Sequence, residues 1–201
     1  MRQLRPFAAL AILAVAVACQ DTGVGPRADD APGPKATASL LPVRWNIFTT
    51  QTPTTTLSAS PGWEVATRFK TSVAGCIVRV RFYRAAGETG TNTVKLWSNS
   101  GTLLFSETFS SPTQGWNYVE LREHGFGPYS DLSICIPANT YFRVSVNTNT
   151  YQVKTPGGLA SPIVNGPLTA DLSYYGQPTG SMPTTSSTST YFVDVYFEAD
   201  S

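Results

Sequence analysis

The sequence predicts an all-β fold in the form of a single antiparallel β-sandwich. Apolar and polar residues alternate with a period of two in short segments from residue 63 onward, which is typical of half-buried strands. No segment shows a convincing helical period. Charged residues make up only 13% of the chain, whereas Thr, Ser, Tyr, Phe and Val are plentiful, and this composition favours strands.

Seven segments show the alternation clearly and are predicted to be strands. They are Trp63–Thr71, Cys76–Arg84, Thr93–Trp97, Thr102–Phe109, Trp116–Leu121, Tyr141–Val146 and Tyr191–Glu198. The last segment is expected to return to a sheet beside the N-terminal strands. By contrast, the stretch Tyr151–Thr190 is rich in proline and glycine and is predicted to be an ordered loop. Loops of this length are uncommon in compact domains, so we expect it either to form a binding surface or to wrap around the sandwich.

The N-terminal residues predict export and a lipid anchor. The apolar run Phe7–Ala18 follows a basic start, and its length of about twelve residues is too short to span a bilayer but typical of a signal peptide. The segment Ala16–Cys19 resembles the lipobox of bacterial lipoproteins, although Ala16 stands where leucine is usual. Cys19 is therefore the predicted lipidation site. The alternative is ordinary signal-peptidase cleavage after Ala18, which would leave Cys19 with a free thiol.

These features divide the chain into three parts, a signal peptide over residues 1–18, a lipidated cysteine with a flexible linker over 19–39, and a β-sandwich domain over 40–201. The linker is rich in Gly, Pro and Asp and cannot form a hydrophobic core, so we expect it to be disordered. About twenty such residues would hold the domain on the order of 25 Å from a lipid surface. The sequence thus predicts an exported, membrane-anchored lipoprotein that faces the periplasm or the cell surface.

Two further cysteines, Cys76 and Cys135, form an even pair, and such a pair in an exported domain indicates a disulfide. Simple alternation argues against easy pairing, because Cys76 shares the apparent core face with Val78 and Val80. Cys135, in contrast, alternates with apolar neighbours such as Ile136 and should lie on the opposite face. Either a bulge reorients one cysteine, or the two are unpaired and buried.

Little in the sequence points to catalysis, and no catalytic residue is predicted. The one histidine, His124, has no G-x-S-x-G motif to accompany it, and Glu123 and Asp131 do not complete a convincing zinc site with it. Glycoside hydrolysis requires two carboxylates that face each other across a cleft. Glu107 alternates with apolar residues, whereas Glu120 should face outward, so the two are not expected to converge. The sequence favours a non-enzymatic protein.

Charge and turn chemistry limit the partners and cofactors. The net charge is +1 and basic residues form no run, which argues against nucleic acid as a partner. No cofactor is predicted, but a structural calcium ion is an alternative because Glu88, Asn92 and Asp171 supply oxygen atoms near turns. Calcium takes six to eight oxygen ligands, commonly from several carboxylates, and the acidic residues here are scattered, so plain turns are the favoured interpretation.

Aromatic residues give a better indication of binding. Seven of them fall on strand faces opposite to the aliphatic residues: Tyr83, Trp97, Trp116, Tyr118, Tyr141, Phe192 and Tyr196. Tyr and Trp on a sheet face can stack on sugar rings while their polar edges stay in water. The alternative is that they form a second small core beneath residues 151–190. Tyr174 and Tyr175 lie within that stretch and are predicted to be more exposed. The candidate ligand-binding residues are therefore Trp97, Trp116, Tyr174 and Tyr175.

Several blocks of the chain resemble, in the same order, a family of bacterial domains of unknown function, number 4082. The blocks include Asn46–Pro53, Val80–Ser98, Gly101–Leu104, Gly115-Trp116, Ala138–Tyr141, Asn165–Ala170, Tyr175-Gly176 and Tyr191–Phe197. The resemblance implies a jelly-roll-like β-sandwich found in exported proteins. It transfers no site residue, because the family has no established activity. The chain departs from the family pattern in its Cys76 and Cys135 pair, in an insertion over Arg122–Asp131, and in Phe192, where Trp is commoner.

Taken together, these features predict a non-catalytic, lipid-anchored binding module whose partners are the membrane, through its anchor, and a glycan or another surface polymer. The alternative is a structural or protein-interaction module of the cell envelope, such as an adhesion component.

Overall fold

In the computed structural model, residues 42–121 and 134–200 are described, and all the regular elements in these two ranges are β-strands. The strands are β1 (Arg44–Trp45), β2 (Thr55–Ser58), β3 (Trp63–Thr71), β4 (Gly75–Arg84), β5 (Asn92–Ser98), β6 (Leu103–Phe109), β7 (Gly115–Glu120), β8 (Ile134–Ile136), β9 (Tyr141–Thr148), β10 (Tyr151–Lys154), β11 (Ile163–Asn165), β12 (Leu168–Gly176), β13 (Thr185–Ser187) and β14 (Val193–Ala199). All seven predicted strands are present, with ends within two residues of the predicted ones. The all-β prediction is confirmed.

The strands form two large antiparallel sheets. The smaller sheet has five strands in the order β1-β14-β4-β7, with β8 also paired to β4. The larger sheet has seven strands in the order β11-β12-β3-β9-β5-β6, with β13 also paired to β12, and β2 and β10 form a separate pair. Buried side chains from both large sheets share one hydrophobic core, as expected for a β-sandwich.

The last strand returns to the middle of the smaller sheet, as predicted. β14 pairs with β1 on one side and with β4 on the other. Val193, Val195 and Phe197 are fully buried in the core. Because alternate residues of a strand point to opposite faces, Asp194 and Tyr196 lie on the outer face of this sheet.

A β-bulge explains how the two cysteines meet. The pairing of β14 with β4 shifts register between Tyr196 and Phe197, which leaves Val78 as an extra residue in β4. Ile77 therefore packs in the core, and Cys76 lies on the opposite face. Cys135 lies directly across from Cys76 in the pairing of β4 with β8, and a disulfide joins them. The predicted disulfide between Cys76 and Cys135 is therefore confirmed. The bulge that makes it possible is not visible in the simple alternation of the sequence.

The prediction that residues 151–190 form a loop is wrong. This stretch contains β10, β11, β12 and β13, and β12 pairs with β3 from Leu168 to Gly176. A second bulge, between Ala170 and Leu172, shifts the register of β12, so its apolar residues do not follow one period-two pattern. Ser173 is also fully buried, which breaks the pattern further.

Several predictions concern other parts of the chain. The signal peptide over residues 1–18, Cys19 with its linker over 19–39, and the insertion that contains His124 lie outside the described residues. Within the described ranges, no helix is long and apolar enough to cross a membrane.

Candidate functional site

The candidate site lies on the outer face of the smaller sheet, where β7, β4 and β14 run side by side. Val80 of β4 packs in the core, so Arg79 and Arg81 on either side of it face outward. The strand register then sets their neighbours, because Tyr118 of β7 pairs with Arg81 and Tyr196 of β14 pairs with Arg79. The alternation of arginine and apolar residues in β4 thus places two cations among aromatic rings.

The two guanidinium groups stack on these rings. The Arg81 Cζ atom lies 4.0 Å from the ring centroid of Trp116 and 4.9 Å from that of Tyr196. The Arg79 Cζ atom lies 4.3 Å from the centroid of Tyr118 and 4.6 Å from that of Tyr196. These distances are within the range of cation–π interactions. We call these five residues the arginine–aromatic ladder; in it, Trp116 stacks on Arg81 and Tyr118 stacks on Arg79.

A buried carboxylate, that of Asp194, holds Arg81 of the ladder in place. Asp194 is fully buried, and Arg81 Nη2 donates to its Oδ2 atom at 2.8 Å. The backbone N–H groups of Ile47 and Phe48 donate to the two oxygens of the same carboxylate, at 3.1 and 3.0 Å. Arg81 Nη2 also donates to the carbonyl oxygen of Phe48 at 2.5 Å. The charge of Asp194 is thus satisfied by the same arginine that stacks on Trp116.

The second arginine of the ladder, Arg79, forms an ion pair with Glu120 that is more exposed than the pair of Arg81 with Asp194. Arg79 Nε donates to Glu120 Oε1 at 2.6 Å, and Arg44 Nη1 lies 3.9 Å from Glu120 Oε2. The pKa of Arg79 is raised above its ordinary value: burial alone would lower it, but the hydrogen bond and the negative charge of Glu120 outweigh burial. Arg79 therefore remains charged beneath Tyr118.

An open groove runs beside the two rings of β7. Its volume is about 520 Å³, and it is lined by Thr108, Phe109, Ser110, Ser111, Pro112, Thr113, Trp116, Asn117 and Tyr118. Tyr118 is 55% exposed, whereas Trp116 is half-buried. The Asn117 side chain donates to the carbonyl oxygens of Thr113 and Gly115, which fixes the turn between β6 and β7 that forms one wall.

This arrangement suits a neutral, hydroxyl-rich ligand. The exposed face of Tyr118 can stack on the C–H face of a sugar ring, and its hydroxyl stays in water. The hydroxyl groups of Thr108, Ser110 and Ser111 along the wall can donate and accept hydrogen bonds. Among the described residues that line the groove none is charged, and each arginine of the ladder is paired with a carboxylate.

Trp97 does not belong to this groove. It is only 6% exposed, and its Nε1–H donates to Ser145 Oγ at 2.8 Å on the outer face of the larger sheet. Ser145 in turn donates to Glu64, which is fully buried and pairs with Lys95 at 3.1 Å. The expectation that Trp97 offers a ring to a ligand is therefore corrected, because the indole is part of a buried polar network.

The expectation that Tyr174 and Tyr175 are exposed in a loop is also corrected. Both lie in β12, where Tyr174 is 6% exposed and Tyr175 is half-buried. The Tyr174 ring lies under Arg143, with 3.8 Å between the Arg143 Cζ atom and the ring centroid. Tyr175 packs against Trp63 with its ring centroid 5.6 Å away. Of the four candidate ligand residues, only Trp116 lines the groove.

Of the acidic residues considered for catalysis and calcium, Glu88, Glu120 and Asp171 have hydrogen-bond or ion-pair partners within the fold. Glu107 lies in β6 of the larger sheet and Glu120 in β7 of the smaller one. Glu88 accepts hydrogen bonds from the backbone N–H groups of residues 149–151, and Asp171 pairs with Arg68 at 2.8 Å. Within the described ranges, no cluster of three His, Cys, Asp or Glu side chains could hold a metal ion.

Sequence reasoning missed Tyr118 and the two arginines as site residues. Tyr118 has the same parity as Trp116 in one short strand, so the pattern of the segment already placed both rings on one face. The alternation of Arg79 and Arg81 with apolar residues carried the same information for β4. The sequence pattern does not show that β7 pairs with β4, and it is this pairing that brings Trp116 and Tyr118 close to Arg81 and Arg79.

Comparison with known proteins supports the resemblance seen in the sequence. A family model described as a domain of unknown function, DUF4082, matches residues 50–193. That match covers the strands β2 to β13, including β7 and the groove beside it. No curated protein matches the chain significantly. The chain belongs to the DUF4082 family of domains of unknown function.

Proposed function

We propose that this chain is a non-catalytic binding module that takes a glycan or another hydroxyl-rich surface polymer outside the cytoplasm. The observation that carries this proposal is the open groove of about 520 Å³ beside Trp116 and Tyr118, with hydroxyl side chains along its wall. Stacking on Arg81 and Arg79 preorganises the rings of Trp116 and Tyr118, so we expect little side-chain entropy to be lost when a ligand stacks on them.

The test is a binding screen of neutral and acidic polysaccharides against the purified chain, run once with calcium and once with a chelator. We expect saturable binding that the chelator leaves unchanged, because the groove offers stacking and hydroxyl groups and no cluster of carboxylates. Binding that disappears with the chelator would contradict a metal-independent site.

Replacing Tyr118 with alanine is expected to weaken glycan binding by about twofold to twelvefold, since an aromatic stacking contact contributes ~0.5–1.5 kcal/mol. Tyr118 is 55% exposed, so the melting temperature should change little. The matched control is Tyr151→Ala, which removes a 37% exposed tyrosine that does not line the groove. Equal binding by Tyr118→Ala and the unmodified chain, measured by calorimetry, would overturn the assignment of this groove.

The membrane part of the proposal rests on the N-terminal sequence, in which Cys19 follows the apolar run Phe7–Ala18. When the chain is expressed in a bacterium with a lipoprotein pathway, intact mass spectrometry should show a mature protein that begins at Cys19 and carries acyl chains. A mature protein without acyl mass at Cys19 would favour ordinary signal-peptide cleavage.

A protein-interaction or adhesion module is the second candidate. Among the described strands, β6 is an edge strand of the larger sheet, and its residues Leu103 and Leu104 are 48% and 38% exposed. An exposed, partly apolar edge strand can pair with a strand of another protein. Failure of every polysaccharide to bind, together with specific capture of an envelope protein that Leu104→Lys abolishes, would favour this function.

A further inference from the structure

A cluster of cations lies on the outer face of the larger sheet, away from the groove. Arg68 and Lys70 of β3 alternate with the core residue Phe69, and Arg143 of β9 lies directly across from Arg68. Tyr141, also in β9, lies directly across from Lys70. We call Arg68, Lys70, Tyr141 and Arg143 the cationic patch. All four residues are half-buried, so each remains in contact with solvent.

The cationic patch contains more positive charge than the fold neutralises. Arg68 pairs with Asp171 at 2.8 Å. Within the described ranges, neither Arg143 nor Lys70 forms an ion pair with a carboxylate. Like charges that lie directly across from each other destabilise a sheet, and Arg68 and Arg143 are such a pair. Two positive charges therefore lack a countercharge on this part of the sheet.

Arg143 is the cation with the poorest compensation. Its Cζ atom lies 3.8 Å from the ring centroid of Tyr174, and its Nη1 atom donates to the carbonyl oxygen of Pro183 at 3.0 Å. Its Nε atom is buried and has no hydrogen-bond partner among the described residues. The pKa of Arg143 is lowered from its ordinary value because burial disfavours the charged form; Tyr174 opposes this effect and the charge of Arg68 adds to it. A bound anion would offset both the burial and the repulsion.

We propose that the cationic patch binds the carboxylate groups of an acidic polysaccharide. The planar guanidinium group of Arg143 matches the geometry of a carboxylate, and Lys70 supplies a second positive charge. The two residues occupy diagonal positions on neighbouring strands, where Cα atoms lie ~7–8 Å apart. A polymer that carries carboxylates on successive sugars can place one beside each cation.

Tyr141 favours an acidic sugar over an anionic lipid surface. Its ring centroid lies 4.8 Å from the Arg68 Cζ atom and 5.4 Å from the Lys70 Nζ atom. A partly exposed tyrosine can contact the C–H face of a sugar while the neighbouring cations hold its carboxylate. Lipid binding, by contrast, favours freely exposed lysines and apolar side chains that insert between headgroups. The cationic patch shares no residue with the groove, so either site can fail without the other.

The test is calorimetric titration of the full chain with polygalacturonate, in a chelator so that calcium cannot bridge the polymer to the protein. We expect Arg143→Gln to weaken binding about tenfold, because a guanidinium–carboxylate contact is a charge-assisted hydrogen bond. Lys70→Gln should weaken binding about threefold, as expected for a partly solvated ion pair. Added salt should weaken binding as well, since it screens exposed charges. Any binding of neutral dextran should be the same in all three proteins.

Two control variants separate the charge of the patch from other effects. Lys154→Gln removes the same charge from β10, outside the larger sheet, and should leave polygalacturonate binding unchanged. An equal loss in Lys154→Gln would show that net charge alone attracts the polymer and would contradict the site. Arg143→Lys keeps the charge and should retain most of the binding. A loss as large as that of Arg143→Gln would give the arginine only a packing role on Tyr174, and would also contradict it.

Three further results would overturn the proposal. They are a failure of polygalacturonate to bind the unmodified chain, binding that Lys70→Gln and Arg143→Gln both leave unchanged, and a loss in Tyr118→Ala with none in Arg143→Gln, which would place the polymer in the groove. If Arg143→Gln does not fold, Lys70→Gln provides the test, because Lys70 is partly exposed. Phosphatidylglycerol vesicles distinguish the source of the anion. Vesicle binding that depends on Lys70, without polygalacturonate binding, would assign the patch to a lipid surface instead.

Discussion

Replacing Asp194 with alanine is expected to lower the free energy of unfolding by about 3–5 kcal/mol, the range for breaking a buried ion pair by removing one partner. Asp194 is fully buried and pairs with Arg81 Nη2 at 2.8 Å. Without the carboxylate, the Arg81 charge and the N–H groups of Ile47 and Phe48 would lose a buried acceptor. Urea unfolding followed by tryptophan fluorescence measures the change.

The matched control is Asp171→Ala. Asp171 also pairs with an arginine at 2.8 Å, but its side chain is 18% exposed and that of Arg68 is 25% exposed. Such a partly solvated pair contributes about 0–1 kcal/mol, because water screens the charges and can replace the lost hydrogen bonds. Similar losses in the two variants would contradict the view that burial, and not the ion pair alone, makes Asp194 important.

The same residue links stability to the groove. Arg81 is held by Asp194 and stacks on Trp116 at 4.0 Å, so the orientation of the Trp116 ring depends on a buried carboxylate on the same face of the sheet. Asp194→Asn keeps the size of the side chain but removes its charge. In a double-mutant cycle, we therefore expect the effects of substituting Asp194 and Trp116 on the free energy of glycan binding to be non-additive.

How far the sequence predicts the fold depends on whether a strand contains a bulge. Where the alternation is unbroken, as in Trp63–Thr71, the predicted and observed strand ends agree. The bulge at Val78 places Cys76 on the face opposite to the predicted one. The bulge between Ala170 and Leu172 interrupts the alternation of β12, so this strand was predicted to be part of a loop. A bulge is set by the pairing with a distant strand, which the local pattern does not contain.

The candidate site shows a second limit, because parity assigns a side chain to a face but does not say what covers that face. Trp97 and Trp116 both lie opposite the core. Over the larger sheet, however, Gly180 donates to Glu64 at 2.9 Å, and Arg143 donates to the carbonyl oxygen of Pro183 at 3.0 Å. The segment 177–184 thus covers the network that includes Trp97, as the wrapping alternative anticipated.

No comparable covering segment hydrogen-bonds over Tyr118 within the described ranges, and this ring stays 55% exposed. The difference between a buried tryptophan and an exposed tyrosine therefore arises from residues far away in the sequence. A candidate list built from alternation alone could identify Trp116 but could not rank it above Trp97.

Removing the disulfide is expected to lower the free energy of unfolding by about 4 kcal/mol in the chain-entropy model, for a sequence separation of 59 residues. The bond also holds β8, which pairs with β4 through only three residue pairs. Ile136 at the end of β8 is 5% exposed and packs in the core, so loosening this strand should expose apolar surface. The variant that tests this has both Cys76 and Cys135 replaced by alanine.

Urea unfolding is measured on the unmodified chain with and without a thiol reductant, and on the double variant. The comparison separates the contribution of the disulfide bond to the free energy of unfolding from that of the cysteine side chains. The reductant should shift the unmodified chain toward the midpoint of the double variant and leave that variant unchanged. Because the groove lies along β7 and not at β8, glycan binding by the folded double variant should equal that of the unmodified chain. A reductant-insensitive midpoint would show that the covalent link contributes little, and that strand pairing and the burial of Ile136 hold β8 in place.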